Sequence, residues 1–343
     1  MSFPEIRAFA LTVLIAAAGA ALAYATAFPA PFLVGPAIAV TAGGLAGLPL
    51  RVPTAVRNAS FIIVGLSMGT GLTPEVFVAA RTWPLSFLMV PVAVVILLYS
   101  ATWVLERFFG YDRTTALLAA SPGHLSFVLS LAADTKSDLL AVGVIQSVRV
   151  LALTLTVPLI VDVLGLVGAE PPPSAPSLGI VMLAASFAAA LGLGYLFQRW
   201  RLPAALLIGG LVAAGATHVT GLVEGDMPSW IMIPTYVLLG AVIGSRFSGA
   251  SFRTMRVAFV AGAVVTVVVV VLAALIAAVV SSITDVPVDA ALIAFAPGGL
   301  ETMAAMAVML NAQPTYVGAH HVLRLLILSG LMPYVLRRDL RTK

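Results

Sequence analysis

Of the 343 residues, 61% are hydrophobic and only 9% are charged, against about 25% charged in an ordinary soluble domain. The chain therefore reads as an all-α polytopic membrane protein, with loops too short to hold a second, soluble domain. A net charge of +4 with no basic run before the last few residues speaks against nucleic acid as a partner, and the absence of cysteine excludes thiol catalysis, disulfides and Fe–S ligation.

Taken in order, the first apolar run follows Arg7 and ends near Ala25-Thr26-Ala27, a pattern resembling a signal peptide. A matching run at 178–197 makes a retained first helix the expectation. Six apolar segments are predicted in the first half, at 8–28, 30–48, 58–74, 84–105, 114–133 and 139–162. Six more follow at 178–197, 203–221, 229–246, 257–282, 289–310 and 315–336. Lengths near 20 residues suit a hydrocarbon core of about 30 Å.

The halves match in register. Adding 174 carries Pro29 to Pro203, Leu33 to Leu207 and Gly35 to Gly209. Adding 175 carries Gly65 to Gly240, Gly69 to Gly244, Pro122 to Pro297, Gly123 to Gly298, Leu125 to Leu300, Arg149 to Arg324 and Pro158 to Pro333. An ordered series of this length reads as an internal duplication. The expected domains are a first repeat at 1–169, a Pro-rich linker at 170–177 and a second repeat at 178–343, the linker being stiff through Pro171-Pro172-Pro173.

Charge sets the expected orientation. If segments five and eleven are re-entrant, entering, breaking at Pro-Gly and leaving on the same side, each repeat has five crossings and the repeats are inverted. Every Lys and Arg then falls on the cytoplasmic side except Arg81, outside, and Arg149 and Arg324, within the membrane. That satisfies the positive-inside rule, which twelve full crossings would violate at Arg246, Arg253 and Arg256. Both termini are expected in the cytoplasm. Each hairpin arm of about 8–11 residues reaches about half-way across, so the two tips could meet near the midplane.

Breaks and charges are costly in lipid and mark the candidate site. The first hairpin offers Ser121, Pro122, Gly123, His124 and Ser126, and the second offers Pro297, Gly298, Gly299, Glu301 and Thr302. A helix starting past each tip presents free N–H groups and a positive dipole end, which suits an anion. Ser126 and Thr302 could cap those helices or donate to a solute. Arg149 and Arg324 either clamp an oxyanion, tie hairpin carbonyls to the bundle, or snorkel. Gln146, aligned with His321, is a candidate lining residue. Glu301 is either a carrier of a coupling proton, a partner of Arg324 or a helix-start carboxylate. His124 and His320 are further coupling candidates. The histidine spacing fits no standard metal motif, and neither metal nor organic cofactor is expected. The spacing Gly65-xxx-Gly69 and Gly240-xxx-Gly244 predicts close helix packing.

The duplicated Pro-Gly-[Gly/His]-Leu hairpins at Pro122–Arg149 and Pro297–Arg324, with the Gly-xxx-Gly helices at 65–70 and 240–245, resemble the AbrB-type duplicated membrane protein family. The likeness covers nearly the whole chain, and its most specific part is Pro297-Gly298-Gly299-Leu300-Glu301. The first hairpin departs from it at His124 and Ser126. Family labels imply either an ammonia monooxygenase or a membrane regulator of gene expression. A more distant fold-level likeness is to the cation/proton antiporter, bile-acid and citrate-symporter class. That likeness does not set the substrate; with the anion-favouring tips it makes the leading expectation a secondary transporter of a small anionic organic solute in the bacterial inner membrane, with H⁺ or Na⁺ coupling and a homodimer formed through segments 1–2 and 7–8.

Overall fold

The computed structural model describes residues 3–72, 76, 80–122, 128–129, 131–132, 135, 137–166, 176–249 and 252–341, the side chains of 82, 252–254 and 338–341 excepted. Thirteen α-helices and no strand are present among the described residues. The first half holds α1 (Phe3–Ala25), α2 (Pro31–Leu45), α3 (Thr54–Thr70), α4 (Trp83–Phe109), α5 (Arg113–Ala120) and α6 (Leu139–Val163). The second holds α7 (Ile180–Arg199), α8 (Ala205–Val219), α9 (Ser229–Ser245), α10 (Phe252–Ile283), α11 (Val288–Phe295), α12 (Leu300–Met309) and α13 (Pro314–Arg341).

Six of these helices, α1, α4, α6, α7, α10 and α13, are long and apolar enough to cross a membrane. The other four expected crossings, α2, α3, α8 and α9, are 15 or 17 residues long, about 22–26 Å at 1.5 Å per residue. The chain is thus a membrane-type helical protein with long rods and short, tightly packed inserts.

Local chemistry explains the breaks. Segment 114–133 contains the eight-residue α5 and stops at Ser121, while segment 289–310 splits into α11 and α12. The residues preceding Pro122 and Pro297 leave the helical region, with φ/ψ of −58/120° at Ser121 and −58/129° at Ala296. A proline ring clashes with a helical neighbour before it and forces this extension. The N-terminus of α5 is capped by Asp112, which accepts from Thr114 N and Thr115 N, and that of α6 by Asp138, which accepts from Ala141 N.

The register between halves persists in packing. A Cβ on Gly65 of α3 would strike the Leu207 carbonyl oxygen of α8; one on Gly240 of α9 would strike that of Leu33 in α2. These are the same contact with the halves exchanged. The crossings of α1 on α2 at Gly19 and Gly35, and of α7 on α8 at Gly194 and Gly209, repeat in the same way. Small residues let the backbones meet without a gap, where dispersion must supply what the hydrophobic effect does not in lipid.

The principal core lies among α4, α5, α6 and α10–α13. Its two ends are marked by α4, 27 residues and about 40 Å long. At the first end, Ser86 bonds Tyr316 and His320 at the start of α13. At the other, α4 hands over to α5 through Tyr111 and Asp112, and Asp138 N donates to Thr115 Oγ1 at 3.0 Å. Burial and then the Asp138 carboxylate raise the Tyr111 phenol above its ordinary pKa, as expected where these residues adjoin. The chain thus enters α5 and starts α6 at one place.

Candidate functional site

A helix that ends inside protein leaves carbonyls without partners. In both halves an arginine from the last long helix of that half meets them. Arg149 of α6 donates through Nη1 to Ala120 O (2.9 Å) and through Nη2 to Ser121 O (3.0 Å). Arg324 of α13 donates through Nη1 to Ala296 O (2.7 Å) and through Nη2 to Gly298 O (2.6 Å). One turn earlier, Gln146 Nε2 donates to Leu118 O and His321 Nε2 to Ile293 O, both at 2.9 Å. Adding 175 superposes the donor pairs, and it carries Leu118 to Ile293 and Ser121 to Ala296 on the acceptor side. The bonds tie each arginine to the carbonyls at a helix break. The rigid guanidinium fork suits two diverging carbonyls as it suits a carboxylate.

Both guanidiniums are almost fully buried, and their charges act on each other. Their Nε atoms, with Ser121 Oγ and His321 Nδ1, are buried without a hydrogen-bond partner among the described residues.

His320 faces away from this hub. Its Nδ1–H donates to Tyr316 O at 2.8 Å, leaving Nε2 to accept from Ser86 Oγ at 2.7 Å, and Tyr316 Oη closes the chain on Ser86. Phe87 stacks on the imidazole, with ring centroids 4.5 Å apart. The first repeat has Ala141 and Ile145 at the positions matching Tyr316 and His320.

The two breaks meet at a cavity of about 250 Å³. Pro122 and Gln146 line it from the first half; Gly298, Gly299, Leu300 and Glu301 line it from the second. Glu301 and Thr302 turn back over the tip: a Cβ on Gly299 would lie 3.6 Å from both Glu301 Oε2 and Thr302 Oγ1. Ser121, Arg149, Pro297, Thr302, His321 and Arg324 stand behind the lining as buried support. Gly123, His124 and Ser126 lie outside the described residues.

Three polar residues at this cavity were not singled out by sequence reasoning. Arg57 of α3, Ser245 at the end of α9 and Arg246 just beyond it all line the space. Arg57 lies 6.0 Å from the Phe61 ring centroid, within the range of a cation–π contact. The Arg246 charge is attracted by Glu301 and repelled by Arg57. A wider cavity of about 630 Å³ adjoins, sharing Arg57, Phe61, Glu301 and Leu325 and adding Gln198 and Arg201 from the α7–α8 connection. The positive-inside pattern hid these arginines, because it explains each of them as a loop cation. The signal that could have found Arg57 is its place one turn inside an apolar helix that starts just after Pro53.

Among the described residues no group of three His, Asp or Glu side chains is arranged to hold a metal ion. The family model described as "Transition state regulatory protein AbrB" matches residues 32–338. The chain belongs to the AbrB family. Among relatives, "Uncharacterized protein YhjN" of Bacillus subtilis (strain 168) is 28% identical over 292 residues, covering 79% of this chain and 75% of that protein. "Putative regulator AbrB" of Escherichia coli (strain K12) is 26% identical over 320 residues, 88% of each chain. No solved structure matches significantly. The match runs from the first turn of α2 into the last turn of α13.

Proposed function

We propose that this AbrB-family membrane protein is a secondary active transporter of a small anionic organic solute. The solute is held between the two hairpin tips, and one helical bundle moves against the other to expose it to each side in turn. The observation that carries the reading is the shared cavity, where Pro122 of one break and Gly298 and Gly299 of the other form adjoining walls. Non-helical backbone within a membrane is tolerated where it is buried or lines a watery cavity, and these breaks do both. The N-terminus of α12 opens onto the same space and favours a negative charge there.

In this reading the repeats, 1–169 and 178–343 joined by 170–177, are inverted, and α5 and α11 are the first arms of re-entrant hairpins. Two contacts support it. The start of α5 adjoins the start of α6 through Asp138 and Thr115, and the start of α13 lies at the opposite end of α4 through Ser86 and Tyr316. The protein resides in the bacterial inner membrane with both termini in the cytoplasm, so the cavities bearing Arg57, Arg201 and Arg246 open inward. Glu301 lines both cavities and is the group placed to carry a coupling proton; Na⁺ is the other candidate ion. A homodimer formed through α1–α2 and α7–α8 would leave the hairpin bundle free to move.

A second reading, a membrane sensor that influences gene expression, draws on the family description and on the name of the Escherichia coli relative. Purified protein in proteoliposomes separates the two. A panel of labelled mono- and dicarboxylates is offered under imposed proton and sodium gradients. Gradient-driven uptake above empty liposomes is expected for at least one compound. Binding of such compounds without uptake under any gradient would favour the sensor and end the transport reading.

A further inference from the structure

Arg149 and Arg324, candidates for clamping the solute, spend both Nη groups on carbonyls at the helix breaks. The cavity nevertheless holds two other guanidiniums. Arg57 and Arg246 line it from α3 and from the end of α9, and Glu301 faces them from the hairpin tip. Arg246 is solvent-reachable and Arg57 half-buried, so both can meet an incoming molecule. Arg57 and Glu301 also line the wider cavity, where Arg201 adds a third cation. Charge in the accessible space is therefore positive in excess, with one carboxylate set against it.

We propose that Arg57 and Arg246 are the anion-coordinating groups of the solute site, and that Glu301 is a tethered carboxylate with which the solute's oxyanion competes. This deepens the transport reading and rests on it for the word solute. Three features carry it. The guanidinium is the side chain matched to a planar oxyanion. Glu301 and Arg246 already attract one another across the cavity, so the cations accept a group of that chemistry. The Arg57 side chain beside the Phe61 ring lines both cavities, so a solute passing from the wider to the inner space encounters it. The ligand class is then a small oxyanion with a carboxylate-sized head. An incoming oxyanion draws Arg246 away from Glu301, which frees the carboxylate as the hairpin tip rearranges.

The test needs no knowledge of the solute. The chain has no cysteine, so Ser245→Cys places a single thiol at the cavity wall. Its rates of reaction with 2-sulfonatoethyl methanethiosulfonate, an anion, and 2-(trimethylammonio)ethyl methanethiosulfonate, a cation, are measured on the full chain in nanodiscs. Each rate is divided by that reagent's rate with 2-mercaptoethanol. The normalised ratio is expected to favour the anion. It should fall about fivefold for each charge removed by Arg57→Gln or Arg246→Gln, hold in Arg57→Lys, and rise about as much in Glu301→Gln. A ratio at or below one, or one that Glu301→Gln leaves unchanged, overturns the assignment. If the arginine variants do not fold, the Glu301→Gln arm decides alone. A chain that fails every transport assay can still pass this test, and a working transporter can fail it, so the two claims fall separately.

Discussion

Arg149 and Arg324 each donate to two buried carbonyls where a helix breaks, and one of these, Ala296 O, also accepts from Gly298 N. Removing the fork costs two buried hydrogen bonds and, in the second half, strands Gly298 O, at about 2–4 kcal/mol. Arg324→Ala should therefore lower the thermal unfolding midpoint in detergent markedly, and Arg324→Lys, which retains charge but not the fork, should fall between. A variant of undiminished stability that loses only ligand binding would restore the clamp reading. Ser86 makes a similar case: Ser86→Ala strands Tyr316 Oη and His320 Nε2 in a buried aromatic setting. A cost of about 1–3 kcal/mol is expected, reduced in Ser86→Ala/Tyr316→Phe, where one stranded group is gone. Equal midpoints for Ser86→Ala and wild type would remove the relay from the stability account. The sequence singled out the arginine pair because buried charge is rare. It left their partners open, because the acceptors come into being only when Pro122 and Pro297 break a helix.

Helices were legible wherever a rule of local chemistry applied. Proline punctuation located both breaks, and the Gly-xxx-Gly spacing announced close packing of α3 and α9, whose partners, α8 and α2, only the structure supplies. Those crossings make a sharp prediction. Gly65→Val and Gly240→Val place side-chain carbons against the Leu207 and Leu33 carbonyls. Each should cost at least about 1–3 kcal/mol through overpacking. The two variants should behave alike, read as the fraction surviving size-exclusion chromatography after heating. Tolerance of one with collapse of the other would show that the halves do not share this contact. Less legible were the lengths. Segments at 30–48 and 203–221 were expected near 20 residues, yet α2 and α8 have 15. Ala30 and Ala204, just before each, adopt left-handed φ of 51°, and the helices also stop early, α2 at Leu45 and α8 at Val219. Hydropathy sees an apolar loop and an apolar helix as one run.

At the scale of the whole molecule, α13 starts at one end of α4 while α5 and α6 start at the other. Ser86, near the start of α4, bonds the first turns of α13, while the end of α4 leads into α5 and the start of α6. A helix of 27 residues is about 40 Å long, more than the thickness of a hydrocarbon core. Contacts at its two ends therefore belong to opposite membrane faces if α4 crosses. The turn at Ser137 then lies on the same face as Arg107 and Arg113, and the turn at Asn311–Gln313 on the face of Arg81. The cysteine-free chain makes this directly measurable. Ser137→Cys and Gln313→Cys should label from opposite sides in oriented membrane vesicles with an impermeant maleimide: Ser137→Cys from the cytoplasmic side, Gln313→Cys from the other. Detergent lysis supplies the control for reactivity. Labelling of both from one side would mean that the repeats run parallel, and the shared cavity would then have to be explained without tips arriving from opposite faces.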